Sequence, residues 1–312
     1  MAKAAVTVRA PAKVNLQLSV GALRPDGYHD LVTVFQAVGL YDDITASKGS
    51  ADGPGDSGIS VSVEGEGVGQ VPLDGSNLAV RAVHALAELA GVSPDVHLHL
   101  RKGIPVAGGM AGGSADAAGA LVACDALWGL RLDRAELHDI AAGLGADVPF
   151  SLVGGTAVGV GTGSSLTPAL ARGSYFWVLA LADGGLSTPA VYAEFDRLHA
   201  SSIRPEPRVS DDLMAALRTG EPQRLGPAVT NDLDRAALSL KPALRFTLDL
   251  GEEYGALAAV VSGSGPTCAF LARDEEHALD LAVALSAAGV CRSVRRAEAP
   301  VPGARIVDPE QL

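Results

Sequence analysis

Residues 105–114 read PVAGGMAGGS, with four glycines among the six positions 108–113. A stretch so poor in side chains can turn its backbone N–H groups inward and let them approach an anion closely. The Ala-rich run ADAAGALVACDALWGL follows at once, so the loop is expected to open a helix, whose N-terminal dipole adds to the attraction. Ser114 is placed to cap that helix and Gly129 to end it. A bare structural turn is the alternative, but a turn does not need this many glycines. Three familiar phosphate loops do not fit. No Gly-Lys pair occurs anywhere, which excludes GK[ST]. The loop lies past residue 100 behind a mainly β start, not in a first βαβ unit with GxGxxG. The HRD and DFG motifs of protein kinases are absent.

The chain around the loop reads as α+β. Alternation over Val6 to Arg9, Val14 to Val20 and Leu31 to Ile44 predicts strands. Residues 49–58, GSADGPGDSG, read as a hairpin connection that ISVSVEGEG closes. NLAVRAVHALAELAG predicts a helix with Asn77 as N-cap and Gly91 as its stop, and VHLHLRKG a strand. A helix follows over Asp133 to Gly143, strands over 153–182 and mostly helix over 187–250. AVVSGSGPTCAFLA predicts a strand, a glycine turn and a second strand, before a last helix, a strand at Cys291 to Ala297 and a peripheral tail. The mixed order suggests two lobes, 1–160 and 161–312.

Composition narrows the function. Asp and Glu outnumber Lys and Arg by 36 to 24, a formal charge of −12, with no basic clusters. Nucleic-acid binding as the main task is therefore not expected, and any anionic substrate needs a positive pocket built locally. No apolar run approaches the roughly 20 residues that span a bilayer, and the N-terminus lacks an apolar signal-peptide centre. Cys124, Cys268 and Cys291 form no zinc spacing and read as buried thiols of a cytoplasmic protein.

There are only five lysines. Lys13 opens the alternating run VNLQLSV, which puts Lys13, Asn15 and Gln17 on one strand face. That face is either solvated or lines a cleft. Asp147 sits in GLGADVPF among apolar neighbours; it is either a solvated or capping carboxylate, or a general base whose proton affinity burial would raise. Asp116, in the expected first helical turn, reads as a carboxylate favouring the helix dipole rather than as a catalytic group.

Three blocks coincide in order: PAKVNLQL at 11–18, PVAGGMAGGSADAA at 105–118 and SGSGPTCAF at 262–270. Together they resemble the three motifs of the GHMP kinase superfamily, and the resemblance spans essentially the whole chain. RPDGYHDLVTVFQAV at 24–38 and GADVPF at 145–150 resemble a branch that phosphorylates a cytidine-diphosphate-linked methylerythritol at its 2-hydroxyl, in non-mevalonate isoprenoid synthesis. The resemblance implies a two-lobed fold, with an N-terminal lobe like ribosomal protein S5 domain 2 and a ferredoxin-like C-terminal lobe. It implies Asp147 as base and Lys13 as its catalytic partner. ATP would be held by Pro105, Val106, Ala107, Gly108, Gly109, Met110, Ala111, Gly112, Gly113, Ser114 and Ala115, with Asn77 and Lys102 near the nucleotide base. Asn15, Tyr28, His29, Thr188 and Tyr192 would hold the substrate, the aromatic groups at its cytosine. Position 192 is Tyr where that branch has Phe, which preserves an aromatic face, and the glycine-rich 49–58 segment is unusual for it.

ATP and Mg²⁺ are the implied cofactors. No carboxylate cage for the ion is visible, and Ser114 is a possible contact through Mg-ATP. The implied partners are ATP and the small cytidyl diphosphate alcohol, with no nucleic acid, membrane or obligate protein partner. The alternatives are another small-molecule kinase of the superfamily, of homoserine or mevalonate type, and a non-catalytic nucleotide-binding relative. The Lys13 and Asp147 pair speaks against the last, since a binding module needs no proton acceptor.

Overall fold

The computed structural model describes residues 4–49, 58–201, 204–308 and 310. Most of the expected 49–58 connection, residues 50–57, lies outside the described residues. The chain begins with two long antiparallel strands, β1 (Ala5–Leu23) and β2 (His29–Lys48), then β3 (Ile59–Gly65), α1 (Leu78–Ala90) and β4 (Val96–Lys102). Next come α2 (Gly112–Trp128), α3 (Arg134–Leu144), α4 (Val148–Val153), β5 (Thr156–Gly161), β6 (Ser165–Pro168) and β7 (Tyr175–Leu181). The second half holds α5 (Thr188–His199), α6 (Asp211–Thr219), α7 (Pro222–Leu225), β8 (Thr230–Asn231), α8 (Asp234–Leu240) and α9 (Leu244–Glu253). It closes with β9 (Ala258–Val261), β10 (Cys268–Ala272), α10 (Glu275–Ala288), β11 (Ser293–Ala299) and β12 (Arg305–Val307).

Two sheets result. The first runs β12-β1-β2-β4-β3, with β5 also on β2, β6 on β5 and β8 on β1; the second runs β11-β7-β10-β9. The two expected strands at Val6 and Val14 are one strand, whose pairing with β2 shifts register between Pro11 and Ala12. Proline has no N–H for the ladder, so an irregularity there costs little. β3 does not close a hairpin on β2; it pairs parallel with β4, and β4 separates it from β2. Alternation predicts a strand but not its neighbour.

Helix ends follow their residues. Asn77 accepts from Ala79 N–H at 2.9 Å, and Gly91 ends α1 in the left-handed region. Asp133 and Glu136 form a reciprocal capping box on α3. Ser114 is not a cap: α2 starts two residues earlier, at Gly112, behind Ala111 with φ 62°. Small residues let α2 run through the middle of its lobe. A Cβ on Gly119 would lie 2.5 Å from Ile44 Cδ1, so glycine sets the approach of helix to sheet.

The expected boundary at 160/161 cuts the β5–β6 hairpin, which hangs on β2. The tail is not peripheral, because β12 pairs with β1 and Ala304 N–H bonds Ser151 O at 2.8 Å. The two sheets also share one core, in which Tyr175, Trp177 and Leu179 of β7 pack with Val8, Val34 and Val38. Inside it Trp177 Nε1 donates to Gln36 Oε1 at 3.0 Å, a buried bond from the second sheet to the first. Cys124 and Cys268 are buried and Cys291 half-buried, all unpaired.

Trp177→Phe removes that donor, leaves the Gln36 oxygen buried without it and opens a small cavity. We expect chemical denaturation to show a loss of about 2–4 kcal/mol, with both lobes still unfolding in one transition.

Candidate active site

The three sequence blocks meet at one carbonyl. Lys13 Nζ, on β1, donates to Gly109 O at 2.8 Å and to Asn15 Oδ1 at 2.7 Å. Ser262 Oγ, in the turn between β9 and β10, donates to the same Gly109 O at 3.1 Å. Lys13 N–H bonds the next loop carbonyl, Met110 O, at 3.2 Å. The crossing is close enough to demand glycine on both sides. Gly109 has φ +75° and a Cβ there would fall 2.0 Å from Ser262 O; Gly263 has φ +57° and a Cβ would fall 2.9 Å from Lys13 Nζ. Asn231 holds the turn from behind, donating to Val261 O and Gly263 O, each at 2.8 Å.

The polar face of β1 is therefore enclosed rather than solvated: Lys13, Asn15 and Gln17 are 5%, 3% and 4% exposed. Asn15 donates to Thr33 Oγ1 at 2.8 Å, and Thr33 donates to Gln17 O at 2.8 Å, so Asn15 Oδ1 is turned to the ammonium. Burial pulls the Lys13 pKa down, and the negative charge of Asp147 partly offsets it. Asp147 stands just ahead of α4, with Pro149 in the first turn. Its carbonyl accepts from Ser151 N–H at 3.1 Å, while its half-buried carboxylate has no hydrogen-bond partner among the described residues. That leaves both carboxylate oxygens available to a proton donor from the cavity.

Lys13, Asn15 and Asp147 line a cavity of about 850 Å³. Its lining includes Leu78, Pro105, Ala107, Gly108, Gly109 and Ala111 to Ser114 together with Tyr28, His29, Thr188, Tyr192 and Asp196. The loop, an aromatic recess and the Lys13 and Asp147 side chains thus line the same space. In the recess His29 Nδ1–H donates to Gly21 O at 3.0 Å, its ring stacks on Tyr192 with centroids 5.4 Å apart, and its Nε2 lies 3.4 Å from Asp196 Oδ1. Tyr28 is 64% exposed, open to stacking from the rim. Burial, helped by the Asp147 charge, pushes the Tyr192 phenol up to about 12 and keeps it neutral. Thr188 and Ser264 hydroxyls bond each other at 2.8 Å.

Five of the expected nucleotide contacts lie off the cavity wall. Met110 and Ala115 are in the core, and Val106 packs by Gly67. Asn77 spends its side chain on α1, donating also to Pro72 O at 2.7 Å. Lys102 is buried between Asp42 and Asp116. Asp116 is likewise not a first-turn carboxylate facing the dipole, because α2 starts early and turns it into the core. Sequence reasoning missed Thr33, Phe35 and Asp196 as lining residues. Strand alternation could have found Thr33 and Phe35, which share the face of β2 turned to Lys13, and Asp196 follows Tyr192 by one helical turn.

The family model described as GHMP kinases N terminal domain matches residues 77–155, and GHMP kinases C terminal matches residues 213–291. A 4-diphosphocytidyl-2-C-methyl-D-erythritol kinase of Streptomyces avermitilis is 58% identical, over 97% of this chain and 99% of its own length. The chain belongs to the 4-diphosphocytidyl-2-C-methyl-D-erythritol kinase family of GHMP kinases. A relative of the same name from Nocardia farcinica is 56% identical, over 98% of this chain and 97% of its own. A crystal structure of 4-(cytidine 5'-diphospho)-2C-methyl-D-erythritol kinase superposes with TM-score 0.76 at 32% identity, over 95% of this chain and 99% of the other. A homoserine kinase from Cytophaga hutchinsonii superposes with TM-score 0.74 at 16% identity, over 98% of each chain, and shares the fold. In this GHMP kinase the two glycines at the crossing are steric requirements. Gly109→Ala is expected to displace the loop and raise KM for ATP about tenfold or more, read by initial rates at saturating alcohol.

Proposed function

We propose that this protein transfers the γ-phosphoryl group of ATP to the 2-hydroxyl of 4-diphosphocytidyl-2-C-methyl-D-erythritol, giving the 2-phosphate and ADP. It would thereby serve non-mevalonate isoprenoid precursor synthesis as a cytoplasmic enzyme. The observation that carries the reading is that one cavity holds a glycine loop, a Lys–Asp pair and an aromatic recess. A homoserine- or mevalonate-type alcohol would have no use for that recess.

Phosphoryl transfer proceeds through a loose transition state, so positioning and charge neutralisation carry most of the catalysis. The triphosphate lies along residues 107–114 and meets the backbone N–H groups at the start of α2. The cytosine ring takes the recess, stacked by Tyr28 and Tyr192, with His29 backing Tyr192. Thr188 and Asn15 meet the rest of the substrate. The acceptor hydroxyl then sits by Asp147, whose unpartnered carboxylate takes its proton as the oxygen attacks. Lys13 places its charge by the loop, within electrostatic reach of Asp147, and offsets charge on the transferred group.

Magnesium travels with the nucleotide. Among the described residues no group of three His, Cys, Asp or Glu could hold a metal. The Ser114 hydroxyl on the cavity wall is a hard oxygen donor, which fits an ion held mainly by phosphate oxygens and water. When bound, Mg²⁺ would neutralise phosphate charge. No helix among the described residues is long and apolar enough to cross a membrane.

The direct test is turnover with ATP and Mg²⁺ on a panel of the cytidyl alcohol, homoserine and mevalonate, with products read by mass spectrometry. One phosphate added to the cytidyl alcohol alone is the expected result; turnover on another alcohol would discard the cytosine assignment. In the same assay Asp147→Ala and Lys13→Ala should lose most of kcat, on the order of a hundredfold or more, while retaining ATP binding. Tyr28→Ala should raise KM for the cytidyl alcohol about tenfold, given about 1–3 kcal/mol for base–aromatic stacking, and leave KM for ATP unchanged.

The pH dependence has a definite sign. Lys13 must be charged, and burial lowers its pKa in the free enzyme. The alkaline limb of kcat/KM should therefore fall at a pH below that of an ordinary lysine, about 10.4. Lys13→Arg should retain its charge and lose that limb.

A further inference from the structure

The four glycines of the loop have no side chains with which to hold their positions, and the loop's buried Met110 side chain lies at its middle. Glycine also loses more conformational freedom on ordering than any other residue. The Gly109 carbonyl fixes the loop's middle; its two ends need separate anchors. Both are supplied by one buried ion cluster made of Asp42 on β2, Lys102 at the end of β4 and Asp116 in α2.

The bonds of this cluster go to the two ends of the loop. Asp42 Oδ1 accepts from Gly103 N–H at 2.7 Å and Ile104 N–H at 2.9 Å, the residues just ahead of it. Lys102 Nζ donates to Asp42 Oδ2, to Asp116 Oδ2 and, at 3.3 Å, to the carbonyl of Gly112, the first residue of α2. Gly103 allows the start: a Cβ there would meet Tyr41 O at 2.4 Å. Their side chains are 0%, 2% and 4% exposed, and none of the three lines the cavity. They therefore reach the nucleotide only through the loop.

The composition of the cluster is costly, which argues for a task. One cation faces two carboxylates, and Asp116 Oδ1 is buried with no hydrogen-bond partner. Burial pushes the pKa of both acids up, Lys102 pulls both back, and the like charge of Asp42 raises that of Asp116 further. Apolar residues of similar volume would hold α2 to the sheet without this cost. They could not accept the Gly103 and Ile104 N–H groups or bond the Gly112 carbonyl.

We propose that Asp42, Lys102 and Asp116 are positioning residues for phosphoryl transfer, tying the start and the end of the glycine loop to β2 so that its N–H groups meet the ATP phosphates in register. The proposal rests on reading that loop as the phosphate site.

Asp116→Ala is the most informative change, because it leaves Lys102 and Asp42 as a neutral pair in a helix already rich in alanine. Initial rates of the full-length protein would be measured with MgATP and the cytidyl alcohol varied in turn. KM for MgATP should rise about tenfold or more, with KM for the cytidyl alcohol changed by less than about twofold. Unchanged values for both, or an equal rise in both, would overturn the positioning role. If Asp116→Ala does not fold, Asp42→Asn is read in the same way, since its amide would set a donor against the Lys102 ammonium. A wild-type protein that neither binds nor consumes ATP would remove the phosphate-loop reading, and the proposal with it. Wild-type turnover with an unchanged variant would remove the positioning role alone.

Discussion

The Gly109 carbonyl is the point on which the rest of the site depends. Its two acceptor positions are filled by the Lys13 ammonium and the Ser262 hydroxyl, one from the first sheet and one from a turn of the second. The bonds join three stretches of chain separated by roughly a hundred residues or more. A charge-assisted bond to a carbonyl is short and directional, so the loop, the lysine and the turn hold one another in place. Glycine at 109 and 263 is the geometric condition for this crossing.

The shared core explains how a site between two lobes is held without a bound ligand. Trp177 inserts from the second sheet and bonds Gln36 of the first, while the final strand returns to β1. Glu66 beyond β3 pairs with Arg292 at 2.5 Å just before β11. The lobes behave in packing terms as one body, and the cavity lies along their seam. Although the chain is acidic, the positive elements along this cavity are local: one buried lysine, oriented N–H groups and a helix N-terminus.

Much of the site was legible because its chemistry leaves marks that survive in one dimension. Glycines at 108–113 announce close backbone approach. Alternation from Lys13 to Gln17 announces a shared face, and the three blocks in order announce a family. What escaped were contacts that depend on what lies opposite. Lys102 reads as a free cation near the nucleotide until Asp42 and Asp116 are folded against it. Asn77 reads equally well as a cap and as a ligand, and the capping bond to Ala79 uses its oxygen. Ser114 read as a cap because it precedes the acidic, Ala-rich run, but helix can begin inside a glycine pair when the preceding residue adopts a left-handed conformation, as Ala111 does.

By itself the sequence determined the α+β class, the glycine loop, most helix ends and the superfamily, since these rest on local propensity and on patterns read along the chain. Tertiary structure alone decided that β3 lies beside β4, that the tail completes the first sheet and that Asp116 turns inward. It also decided that Asp147 faces the cavity with its carboxylate unpartnered. The reason is physical: pairing, burial and the desolvation of a charge depend on which distant segments pack together, and sequence spacing does not encode that distance.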